Sequence, residues 1–96
     1  MAYEIEFAKR AIGNLRGLTA RQRSLVLNRV REELALEPLV QTRNRKRLRT
    51  NPVAPWELRL GNLRVYYDVY GSVVTVEAVG VKIRERVQID DEDVEL

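Results

Sequence analysis

The sequence predicts an α+β fold: an N-terminal strand and a two-helix hairpin packed on one face of a twisted, mainly antiparallel sheet of four to five strands. Three observations carry this reading. Apolar residues alternate with polar ones at the start of the chain and again through its second half, the period of half-buried strands. Between those stretches they recur at helical spacing. Gly61-Asn62 and Gly71-Ser72 are two-residue turn signals set inside alternating segments, which makes consecutive strands antiparallel.

Taken in order, Tyr3, Ile5 and Phe7 alternate with Glu4 and Glu6 and form a first short strand. Ala8, Ala11, Ile12, Leu15 and Leu18 then fall on one helical face, in a helix weakened by Gly13 and ended near Gly17. Thr19 with Gln22 three residues on is a capping box. Val26, Leu27, Val30 and Leu34 supply the apolar stripe of the second helix, which stops before Pro38. Leu39 to Pro55 lacks periodicity, holds two prolines and a basic run, and reads as a loop with at most a short strand or turn around Leu48.

Trp56 to Val69 is the most informative segment. A turn at Gly61-Asn62 pairs Leu60 with Leu63 and Arg59 with Arg64. Trp56, Leu58, Leu60, Leu63, Val65 and Tyr67 then share one face, and Glu57, Arg59, Arg64, Tyr66 and Asp68 the other. The turn at Gly71-Ser72 pairs Tyr67 with Val76 and Val65 with Ala78. Past Gly80, a further strand places Val81, Ile83, Val87 and Ile89 on one side and Lys82, Arg84, Arg86 and Gln88 on the other. The chain ends in an acidic tail, residues 90–96, which either adds an edge strand at Val94 to Leu96 or frays.

Composition narrows the chemistry. The 96 residues suffice for one domain with a modest core, here read as residues 1–96. There is neither cysteine nor histidine, so disulfides, thiolate nucleophiles, a conventional zinc site and imidazole acid–base catalysis are all excluded. No metal site and no cofactor motif is present in the sequence. No apolar run reaches the length of a membrane span and no signal peptide precedes the first strand, so the expectation is a cytoplasmic protein.

The net charge of +3 is unevenly distributed. Arg43, Arg45, Lys46, Arg47 and Arg49 lie close together in the central loop, and the acids gather at the C-terminus. Alternation collects Arg59, Arg64, Tyr66, Lys82, Arg84 and Arg86 on the sheet face away from the helices, with only Glu57, Asp68 and Glu77 to neutralise them. Arginines directly opposed across a strand pair repel unless an acid or a bound anion lies between them. Guanidinium forks fit phosphate oxygens, and Tyr66 beside them is a candidate base-stacking platform. Solvated surface charge is the alternative. Trp56, on the apolar face, reads as core. The tail is expected to shield part of the basic face.

The order of pieces resembles the RelE/ParE toxin family over nearly the whole chain. These pieces are Tyr3-Glu4-Ile5-Glu6-Phe7, Lys46-Arg47-Leu48, Trp56-Glu57-Leu58-Arg59-Leu60-Gly61-Asn62-Leu63-Arg64-Val65-Tyr66-Tyr67, and Val76-Glu77-Ala78-Val79-Gly80 followed by basic residues. The resemblance implies the toxin of a type II toxin–antitoxin module, bound by a cognate antitoxin in a hetero-oligomer. In the RelE branch it implies a ribosome-dependent endoribonuclease that cuts mRNA without metal, in the ParE branch an inhibitor of DNA gyrase, and an attenuated member binding only antitoxin or nucleic acid is a third reading. Arg59, Arg64, Lys82 and Arg84 match the catalytic basic positions. Arg43, Arg45, Lys46, Arg47, Arg49, Tyr66 and Arg86 complete the expected nucleic-acid surface. Glu57 stands where the ribonuclease branch tends to carry lysine, and Gln88 near its proton-moving tyrosine.

Overall fold

The computed structural model describes residues 2–49 and 51–90, and the backbone alone for 92–94. The elements run β1 (Glu4–Phe7), α1 (Lys9–Arg16), α2 (Ala20–Leu34), β2 (Arg45–Arg47), β3 (Trp56–Leu60), β4 (Leu63–Tyr70), β5 (Val73–Ile83), β6 (Arg86–Ile89) and β7 (Glu92–Val94). The fold class is the expected one, with more strands: a seven-stranded sheet ordered β2-β3-β4-β5-β6-β7, with β1 parallel to the first part of β5.

Both helices end where local chemistry says they should. The α1 helix stops at Gly17, whose N–H donates to the Asn14 carbonyl (3.1 Å) while the Leu18 N–H donates to that of Leu15 (3.2 Å). At the start of α2, the Thr19 hydroxyl accepts from the Gln22 N–H (3.1 Å), and the Gln22 side chain accepts from the Thr19 N–H (3.0 Å), so two orphan donors are satisfied. Ala11 and Leu15 of α1 and Val26, Val30 and Leu34 of α2 pack on Leu58, Val65, Tyr67, Val74 and Val76. Trp56 stacks on Tyr67 with ring centroids 5.9 Å apart, and the Tyr67 hydroxyl donates to the Pro38 carbonyl (2.6 Å). The core assignment of Trp56 therefore holds.

The central hairpin has the expected register, Leu60 opposite Leu63 and Arg59 opposite Arg64. Two expectations beyond it are corrected. Tyr67 does pair with Val76, but Val65 meets Val79 and not Ala78, because Glu77 is an extra residue bulged out between the Tyr66–Ala78 and Tyr67–Val76 pairs. A bulge flips every later side chain to the other face. Val79 thus joins the helix-side core, while Ala78 and Gly80 turn away from it. Gly80 does not interrupt the strand, since β5 runs on to Ile83, and the chain reverses at Arg84-Glu85. The short strand allowed near Leu48 is present as β2, which ends one residue before it and pairs with β3.

The sheet face away from the helices is not bare. Tyr66, Ala78, Val87 and Ile89 form a second apolar cluster, closed by Leu48, Val53 and Ala54 from the loop after β2. Asn51 folds that loop back, its side-chain oxygen accepting from the Val53 (2.9 Å) and Ala54 (3.3 Å) N–H groups. Of the acidic tail, Asp90 bonds Arg10 (2.8 Å) and Asn14 on α1, away from the basic face it was expected to shield. Asp91, Glu95 and Leu96 lie outside the described residues, as do the side chains of residues 92–94.

Candidate nucleic-acid interface

Where the second cluster gives out, the face opens into a cleft of about 240 Å³ lined by Leu48, Arg49, Asn51, Glu57, Arg59, Arg64, Lys82, Glu85 and Val87. Each cation arrives from a different element: Arg49 from the loop after β2, Arg59 from β3, Arg64 from β4 and Lys82 from the end of β5. Only the bulge at Glu77 gives Lys82 the same facing as Arg64, through the Arg64–Gly80 pair two residues before it.

The opposed arginines resolve their repulsion in different ways. Arg59 turns along its own strand to Glu57, Nε to Oε1 2.6 Å. Arg64 is nearly buried and is aimed by backbone alone, Nη1 donating to the Gly61 (2.6 Å) and Leu63 (2.9 Å) carbonyls. Among the described residues no carboxylate pairs with Arg64, Lys82 or Arg49. Against these cations the cleft holds two carboxylates, Glu57 and Glu85, so it keeps a positive excess. Among the described residues, Glu57 alone of the neutralising partners anticipated in sequence forms an ion pair.

The other expected site residues go elsewhere. Arg45 is buried on the helix side, its Nε 3.6 Å from Glu33 and its Nη1 donating to the Glu37 carbonyl, so it braces β2 against the end of α2 and does not reach a ligand. Arg47 lies over Trp56, 5.7 Å from the ring centroid, on the same side. Lys46 faces the cleft side opposite Glu57, and Arg43 and Arg49 are exposed. Tyr66 is fully buried in the second cluster and cannot stack on a base; burial and then the charge of nearby Glu57 push its hydroxyl pKa well up. Arg84 sits at φ 60° in the β5–β6 turn, and Arg86 pairs with Ile83, so both lie beside a neighbouring hollow with Gln88. Sequence reading missed Glu85 and Asn51 as cleft walls. The Asn51-Pro52 turn signal was the available clue to the second.

Fold and cleft define a small α+β protein with arginines gathered over a central hairpin. No family model matches the chain, and no curated protein matches it. Among solved structures it is similar to a chain of the toxin–antitoxin complex RelBE2 from Mycobacterium tuberculosis, at 25% identity over 85% of this chain and 100% of that one, with a TM-score of 0.72. The resemblance carried by the sequence holds in three dimensions: the chain shares its fold with a chain of that toxin–antitoxin complex.

Proposed function

We propose that this chain is the toxin of a toxin–antitoxin module and that it inhibits translation by cutting ribosome-bound mRNA, with the Arg49–Arg59–Arg64–Lys82 cleft as the phosphate site. The observation that carries the reading is the convergence of four cations from separate elements on one cleft with two carboxylates. In phosphodiester cleavage by the neighbouring 2′-hydroxyl the O2′–P bond forms, the P–O5′ bond breaks and the departing 5′-oxygen takes a proton from water; the phosphorane between carries extra charge, which preorganised guanidinium groups stabilise without reorganising. Arg64, fixed by two carbonyls, suits that role, with Lys82 beside it. Arg59 and Arg49 orient flanking phosphates. Glu85 is the carboxylate in the cleft without an ion-pair partner among the described residues, and it is the acceptor for the 2′-hydroxyl proton.

A cognate antitoxin is the expected partner, acting in the cytoplasm. A hollow of about 410 Å³ lined by Leu25, Leu60 and Leu63, with Arg21 and Arg29 among its walls, fits an acidic amphipathic segment. Induced expression of the isolated chain should arrest translation, and purified ribosomes with a defined message should yield cut mRNA. Intact translation together with an SOS response would replace this reading by a gyrase-directed one. Growth unaffected by either the parent or Arg64→Ala would remove both.

A further inference from the structure

Glu57, which lines the cleft, stands directly opposite Tyr66 of the second apolar cluster, on β3 and β4. Both are enclosed, at 5% and 0% exposure. The carboxylate is committed to Arg59 at 2.6 Å, while the guanidinium end of that pair is 47% exposed and open to the cleft. The Tyr66 hydroxyl, by contrast, has no partner in full hydrogen-bond geometry among the described residues, although the Glu57 carboxylate is near enough to act on it. A buried hydroxyl without a partner costs folding free energy, and phenylalanine would fill the same space without it. The nearest candidate acceptor is the Glu57 carboxylate, which lies close enough to raise the phenol pKa.

A phosphate that engages Arg59 must compete with Glu57 for the same guanidinium. If Glu57 stayed in place, two anions would share one cation in a poorly solvated corner. We propose that Glu57 is a built-in stand-in for the nucleic-acid phosphate, holding Arg59 in the empty cleft and passing to the waiting Tyr66 hydroxyl when a phosphate takes the guanidinium. Glu57 is then a positioning residue that acts through Arg59, and Tyr66 is the donor that makes its displacement cheap. This rests on the reading of the cleft as a phosphate site and adds how that site tolerates an acid within it.

The test is a double-mutant cycle on the full chain, reading the affinity for a short all-deoxy single-stranded oligonucleotide that cannot be cleaved, by fluorescence anisotropy. Glu57→Gln removes the competitor and should tighten binding on the order of tenfold. Tyr66→Phe removes the landing place and should weaken binding on the order of tenfold when Glu57 is present, but change it less than about twofold in the Glu57→Gln background. Both changes are nearly isosteric, and a thermal melt of each verifies folding. Equal effects of Tyr66→Phe in both backgrounds, or none in either, would overturn the exchange, while a loss of roughly 10–100-fold in Arg64→Ala would still uphold the cleft. Absence of binding by the parent chain would overturn the cleft reading and the exchange together.

Discussion

Replacing Asn14 by alanine should be among the most damaging single changes outside the apolar core. Its side chain fills the outer edge of β5 between the last residue paired with β1, Val76, and the first paired with β6, Val81. There the Val79 N–H has no strand partner on that side and donates instead to Asn14 Oδ1 (2.9 Å), while Asn14 Nδ2 donates to Asp90 Oδ1. Asn14 is 8% exposed and Val79 2%, so alanine would leave a buried N–H unpaired, at about 1–3 kcal/mol. Losing the bond to Asp90 adds about 1 kcal/mol, a low figure because that carboxylate is 44% exposed and recovers solvation. The sum, roughly 2–4 kcal/mol, corresponds to a melting temperature lower by roughly 10–25 °C for a domain of this size. Thermal unfolding followed by circular dichroism measures it. A fall of less than about 4 °C would mean that water replaces the amide and that Asn14 is no strut. Asn14→Asp keeps the acceptor for the Val79 N–H but sets a second carboxylate against Asp90, so it should also be less stable than the parent at neutral pH.

Other consequences are as direct. Gly80→Ala would bring a Cβ to 2.5 Å from Val87 Cγ1 and 2.7 Å from the Gln88 carbonyl oxygen, and since a carbonyl cannot rotate away, urea denaturation should show a loss of about 1–3 kcal/mol. Thr19→Ala removes the hydroxyl that accepts from the Gln22 N–H, leaving the backbone half of the capping box, and should cost about 1 kcal/mol by the same measurement. Arg64→Ala should weaken oligonucleotide binding roughly 10–100-fold and flatten the slope of log affinity against log salt by about 0.7; an unchanged slope would mean that Arg64 meets no phosphate. Arg84→Gly relieves a left-handed backbone at φ 60° and should stabilise the chain by about 1 kcal/mol. It should also leave binding within about twofold, as expected of an exposed charge outside the cleft, whereas a large loss would restore Arg84 to the site.

How much of this was legible in advance follows from the range over which each feature is decided. The capping box at Thr19, the stop at Gly17 and the hairpin at Gly61-Asn62 depend on a few adjacent residues, and the sequence alone determined them. So did the opposition of Arg59 and Arg64, because a two-residue turn leaves only one register. The bulge at Glu77 has no local signature. It is set by which residues the helix-side core can accept, Val79 in place of Ala78, and that choice decides which face Lys82, Val87 and Ile89 join. The burial of Tyr66 and of Arg45, the covering of the second face by Leu48, Val53 and Ala54, and the fixing of Asp90 on α1 are likewise contacts between distant parts of the chain. The sequence by itself determined the elements, the central register and the arginines that face each other. Only the tertiary structure decided which cations share a cleft, because side-chain alternation carries no information past a single inserted residue.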